Sequence, residues 1–155
     1  TFAQAAALFP GLPETSSQAQ YSLRFALATL ALRGQVGPAE IQGAALTAPD
    51  VAAFLERIDV REVPRHSAAL PAHRISDVSV TTAERRALHS GDIHASGGPE
   101  RPMTMPQVEA KFHRMAAPLA PGRRAALWDM RARLTDPSVP FSDLHALIHP
   151  APEGL

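Results

Sequence analysis

The sequence contains no cysteine, which excludes disulfides, thiolate zinc sites, iron–sulfur ligation and cysteine nucleophiles within this chain. Lysine is almost as scarce: Lys111 is the only one, and every other basic residue is arginine. Arginine together with abundant alanine points to a GC-rich bacterial genome, and carries no mechanistic weight. Charge of one sign is also missing, since fifteen basic residues balance fifteen acidic ones. No bulk field therefore draws the protein to a nucleic-acid backbone or an anionic membrane. Apolar runs fall far short of the roughly 20 residues that a membrane span requires, so the chain reads as soluble. Thr1 to Pro10 has neither the basic start nor the apolar centre of a signal peptide. The chain lacks an initiator methionine and reads as a piece of something longer.

The 155 residues, 45% of them hydrophobic, are enough for one ordinary domain with a core. Phe2, Ala5, Ala6 and Phe9 suit a short helical turn closed by Pro10, Gly11 and Pro13. Ser17 and Gln20 have capping-box spacing and Gly34 suits a helix C-terminus, which predicts one helix over Gln18–Arg33. That stretch is apolar nearly all round, the pattern of a helix buried on several sides. Gly37-Pro38 and Thr47-x-x-Asp50 open two further helices, over Ala39–Leu46 and Pro49–Arg57.

From Ile58 the period shortens. Ile58, Val60 and Val63 predict a strand, followed by a loop holding Arg65 and His66 between Pro64 and Pro71. Ile75–Thr82 alternates as a second strand and pairs with a third over Arg86–Ile93, across Ala83-Glu84-Arg85. That turn lacks the Gly or Asn that tight hairpins favour. Ser96 to Pro102 is a loop and the expected internal boundary. Helical spacing then returns: Thr104-x-x-Gln107 is a capping box, Val108, Phe112 and Met115 share a face, Pro121-Gly122 opens the next helix, and Phe141, Leu144 and Ile148 mark the last. Helices, a small antiparallel sheet and helices again make the fold class α+β.

Most of the chemistry that could be sought is absent. There is no P-loop, no dinucleotide fingerprint and no Gly-x-Ser-x-Gly elbow. His145 and His149, one helical turn apart, would need Asp143 or His113 as a third zinc ligand, and a solvated helix end explains them better. His89 and His94 flank Gly91-Asp92 near a strand end, where a general base could sit; surface residues of an edge strand look the same. Arg24 stands out. It is the only charge between Tyr21 and Leu32 in an apolar helix, and a buried guanidinium needs an anion, either an internal carboxylate or the carboxylate of a ligand. The internal pair is the favoured alternative. Tyr21 and Phe25 flank the same region.

The stretch QAQYSLRFALATLALRGQVG resembles the segment that opens the C-terminal domain of the MmgE/PrpD family, the 2-methylcitrate dehydratase-like proteins. Its Ala19-x-Tyr21-Ser22-Leu23-x-Phe25 core is that family's alanine, aromatic, serine pattern. APDVAAFLERIDV, RISDVSVTT and GGPERPMTMPQVEAKFHRMAAP resemble, in order, the family's helix leading to its first strand, its second strand, and its Gly-x-Pro loop with the Glu-x-Lys-Phe helix. The resemblance implies a two-layer α/β domain over residues 1–98 and, over 99–155, helices that return to an all-α domain built mainly from an N-terminal part. An apolar stripe of Phe112, Met115, Leu127 and Trp128 would then await its partner.

Family members include 2-methylcitrate dehydratase, cis-aconitate decarboxylase and iminodisuccinate epimerase. The resemblance thus implies a bacterial, cytoplasmic, homodimeric lyase or isomerase of carboxylic-acid metabolism such as propionate catabolism, with no cofactor. It would act on a small polycarboxylate by removing a proton or carboxyl group beside a carboxylate. The expected partners are that substrate and the N-terminal helical domain or a partner chain, which supplies most catalytic His, Asp and Lys residues. The candidate catalytic residue is Tyr21, and the candidate substrate-binding residues are Arg24, Phe25 and Ser22. Phe25 stands where many members have an active-site tyrosine, and a phenyl ring has no proton to give. A non-catalytic folding or assembly module is the alternative.

Overall fold

A computed structural model describes residues 1–99 and 101–149. The chain divides into two compact units, Thr1–Met103 and the residues from Thr104 onward. No helix among the described residues is long and apolar enough to cross a membrane.

The first unit opens with α1 (Ala3–Ala6), α2 (Ser16–Gln20) and α3 (Leu23–Arg33). The single helix expected over Gln18–Arg33 is therefore interrupted at Tyr21 and Ser22. The reason is local. Ser22 takes an extended conformation (φ −117°, ψ 105°) so that its hydroxyl accepts the Phe25 N–H, while the Tyr21 carbonyl accepts the Phe9 N–H at 2.8 Å. At the start of α2 it is Thr15, not Ser17, whose side chain accepts the Gln18 N–H, and the Gln18 amide oxygen accepts from the Glu14 N–H. Gly34 does end α3, at φ 74°, a conformation in which a Cβ would be strained.

A 3₁₀ helix (Gly43–Thr47) and α4 (Pro49–Leu55) follow. They close the core with α3: Phe25, Ala28, Leu46, Val51 and Leu55 are buried together with Ala19, and Ile41, Ala48, Phe54 and Ile58 pack around them. Burying side chains of this size contributes roughly 1.5–3 kcal/mol each for Val, Leu and Phe. The expectation of a helix covered on several sides is not met, because Leu30 and Leu32 of α3 stay exposed.

Ile58–Val63 carries no strand. Its ladder consists of two bonds to Thr1, whose ammonium donates to the Arg61 carbonyl and whose carbonyl accepts the Val63 N–H; β propensity makes a strand only where a neighbour supplies the hydrogen bonds. The loop expected around Arg65 and His66 is instead a short helix, α5 (Pro64–Ala68), with Pro64 pre-set for its first turn.

The hairpin forms as expected in its centre. β2 (Ser79–Thr81) pairs antiparallel with β3 (Ala87–His89), Val80 opposite Leu88. Arg85 adopts φ 60° in the turn, which is how the chain manages without glycine. β1 (Ile75–Ser76) and β4 (Ile93–His94) continue the ribbon as a separate two-stranded pair. Between the pairs, Ser90-Gly91-Asp92 lies opposite Asp77-Val78, a bulge with Gly91 at φ 64°. The one small sheet is thus two short pairs, and the class remains α+β.

In the second unit α6 (Met105–Met115) begins with the expected capping box of Thr104 and Gln107. α7 (Pro121–Met130) runs into a 3₁₀ turn (Arg131–Arg133), and α8 (Phe141–Ile148) comes last. Phe112 and Trp128 lie with ring centroids 5.3 Å apart, and Arg131 stacks 3.9 Å from the Trp128 ring. Within the expected stripe Phe112 and Trp128 cover each other, while Met115 stays exposed. Phe141, at 74% exposure, is the most exposed large apolar side chain of this unit among the described residues, followed by Leu134 and Met105.

Candidate functional site

The interruption between α2 and α3 decides where the four sequence-derived site residues go. Leaving the helix at Tyr21 turns the phenol outward, 62% exposed. Ser22, 2% exposed, spends its hydroxyl on the helix cap, 3.2 Å from the Phe25 amide. Phe25 is 1% exposed and sits in the core. Of the four, Tyr21 and Arg24 have groups placed to meet another molecule; Ser22 and Phe25 hold the start of the helix that carries them.

Among the described residues no internal carboxylate pairs with Arg24. Its guanidinium donates from Nη1 to the Pro10 carbonyl at 2.9 Å and from Nη2 to the Leu55 carbonyl at 2.8 Å. The Leu55 carbonyl lies at the end of α4, where helix carbonyls lack intrahelical donors. Nε is buried and makes no hydrogen bond among the described residues. Two carbonyls orient the group, yet they bring no formal charge, and no salt bridge to Arg24 occurs among the described residues. A guanidinium has five N–H donors. Arg24 is thus an aimed cation with donors to spare.

It also lines a cavity of about 240 Å³, whose wall includes Ala5, Phe9, Pro10, Leu23 and Asp59. Asp59, the acid in that lining, is ion-paired with Arg61 and so already engaged. The arrangement can receive a small anion chemically: apolar walls from α1 and α3, and one fixed positive charge.

A second cluster escaped the sequence reading. His66 is completely buried, and neither ring nitrogen has a hydrogen-bond partner among the described residues. Its Nε2 lies 3.5 Å from Oδ1 of both Asp77 and Asp92. Arg65, one residue earlier, binds Asp92 Oδ2 at 2.7 Å. That bond, joined by the neighbouring His66, holds the Asp92 carboxyl below the usual carboxylate range. The signal that could have revealed the cluster is the hairpin register, which brings Asp77 and Asp92 opposite one another; the missing information was that the expected loop folds as α5 beneath them.

The histidine candidates stay apart from any metal geometry. His145 and His149 rings approach at 4.9 Å between centroids, while His113 faces Glu109 and Asp143 faces Arg133. Among the described residues no group of three His, Asp or Glu side chains could hold a metal ion. His89 shares a 2.9 Å hydrogen bond with Ser79, and His94 packs edge-on against His73.

No curated protein matches the chain significantly. A family model does: the one described as MmgE/PrpD C-terminal domain matches residues 4–136. Residues 4–136 hold both the interrupted α2–α3 segment with Arg24 and the helix capped by Thr104. The resemblance drawn from the sequence is thereby established, and the chain belongs to the MmgE/PrpD family as its C-terminal domain.

Proposed function

We propose that this chain forms one wall of the active-site cleft of a lyase or isomerase that acts on a small polycarboxylic acid. The observation that carries the reading is Arg24: a cation oriented by two carbonyls, bordering a cavity, without a carboxylate partner among the described residues. Its free N–H donors take one carboxylate of the substrate. Holding that group fixes the neighbouring carbon, from which a proton or a carboxyl group leaves as an enolate-like anion develops. Fixed positive charge stabilises that anion more than the ground state. Tyr21, exposed in the break between α2 and α3 three residues before Arg24, is the proton-transfer candidate on this wall. The remaining acid and base belong to a helical domain, to which the helices from Thr104 onward also contribute, and the working unit is a homodimer.

The substrate is of the 2-methylcitrate, cis-aconitate or iminodisuccinate type. Turnover of these three compounds by the chain combined with the N-terminal helical domain tests the proposal. Arg24→Met should raise KM by roughly 10- to 100-fold, the worth of one charge-assisted contact of about 1.5–3 kcal/mol. Tyr21→Phe should lower kcat instead. A second reading, a non-catalytic assembly module, draws on Phe25, whose buried ring offers no proton at a position where relatives are expected to carry tyrosine. Turnover of none of the three compounds leaves that reading alone.

A further inference from the structure

A groove of about 720 Å³ runs across the first unit and adjoins the Arg24 cavity, sharing Leu23, Ile58, Asp59 and Val60 with it. Its floor is a stripe of α3 at helical spacing, Leu23, Leu27 and Ala31, and its walls are Ile58–Val63 on one side and Ser76–Thr81 on the other. Both walls present unused backbone. Among the described residues the amides of Asp59 and Arg61, on the side that the Arg61 and Val63 bonds to Thr1 mark as the groove side, donate to no acceptor. On the opposite wall, the Val78 carbonyl and the Thr82 amide bond toward β3, so alternation turns the amides and carbonyls of Ser79 and Thr81 the other way, into the groove. Two facing rows of unpaired peptide groups over an apolar floor are a sheet with its middle strand missing.

One residue of that strand is already in place. Thr1 lines the groove at one end. Its N–H donates to the Arg61 carbonyl at 3.0 Å and its carbonyl accepts the Val63 N–H at 2.8 Å, the bonding pattern of a parallel bridge centred on Glu62. On its other side the Thr1 hydroxyl meets the Ser76 hydroxyl at 2.8 Å. Thr1 thus touches both walls at once.

We propose that the groove is the seat of an extended strand leading into Thr1, parallel to Ile58–Val63 and antiparallel to β2. Two residues upstream of Thr1, the strand would accept the Arg61 N–H and donate to the Asp59 carbonyl. Further up, it reaches the free edges of Ser79 and Thr81. Matching Ser76–Thr81 takes about six residues at 3.3 Å each. Alternate side chains lie over Leu23 and Leu27, so the strand carries β-branched apolar residues at every second position, with polar ones between. The proposal does not rest on the catalytic reading of Arg24.

The test joins an extension of about six residues, valine alternating with threonine and lysine, directly to Thr1, in both possible registers. Amide hydrogen exchange is then followed by NMR. In at least one register, exchange at Arg61, Ser79 and Thr81 slows by about tenfold or more, the effect of one ordinary net hydrogen bond. The same extension with proline at alternate positions leaves these amides unprotected, because a strand without its N–H donors to the wall carbonyls does not seat and its own carbonyls are not held against these amides. The free acetylated peptide, titrated into the unextended chain, gives the same amides the same protection at high concentration, and this second measurement stands if an extended chain fails to fold. Absence of protection in both formats, equal protection by the proline extension, or protection that appears only with dimerisation of the chain would overturn the proposal.

Discussion

Replacing Arg24 by methionine tests the central piece of the fold and of the candidate site together. Methionine keeps the length and the flexible apolar stem and deletes the charge. Two hydrogen bonds disappear, to the carbonyls of Pro10 and Leu55. Bonds to a charged donor are worth about 1.5–3 kcal/mol each, and because the Pro10 bond is exposed, the lower end applies, about 3 kcal/mol for the pair. Against this, burying Nε without a partner costs about 1 kcal/mol at the least, which methionine recovers. The balance is a loss of about 2 kcal/mol. With a urea m-value of about 2 kcal/mol/M, the midpoint of the circular-dichroism transition should fall by about 1 M. Arg24→Lys, whose single ammonium reaches one carbonyl rather than two, should fall between wild type and methionine. A midpoint for the methionine variant equal to or above that of the wild type would refute the reasoning. The carbonyl bridge would then contribute nothing to stability, and retention of the guanidinium would have to rest on ligand binding.

Further outcomes follow from the same geometry. The Arg65 guanidinium holds the Asp92 carboxyl low, so its contribution to stability is complete above the unfolded value of about 3.9 and is lost as pH falls through the lower folded value. Arg65→Met should return the Asp92 titration toward that ordinary value in a carboxyl-detected NMR experiment. An unmoved titration would show that the pair does not form in solution. Arg85→Gly should stabilise the hairpin by about 0.5 kcal/mol, because the φ of 60° costs arginine about 1–2 kcal/mol and glycine's extra unfolded-state entropy takes back part of the gain; a lowered melting temperature would contradict it. Thr104→Ala removes the hydroxyl that caps α6 and should cost about 1 kcal/mol. Trp128, the only tryptophan, reports that loss by fluorescence through its contact with Phe112.

The features legible in the linear sequence are those whose cause is local. Gly34 ends a helix because its backbone alone tolerates φ 74°. Thr104 and Gln107 cap α6 because the two partners are three residues apart, and the hairpin centre follows from alternation around Ala83-Glu84-Arg85. The family, and with it the C-terminal character of the domain, was also readable, as an ordered set of short segments spanning most of the chain.

Tertiary structure decided what depends on distant partners. The interruption at Tyr21 and Ser22 arises because Phe9, twelve positions earlier, claims the Tyr21 carbonyl, and no propensity contains that bond. Arg24 announced a buried charge, but only folding could bring the Pro10 and Leu55 carbonyls to it in place of a carboxylate. His66 came to lie between Asp77 and Asp92 through the packing of α5 against a bulged ribbon. Ile58–Val63 has the composition of a strand and lacks its ladder, since a strand is a relation between two segments and composition specifies only one of them.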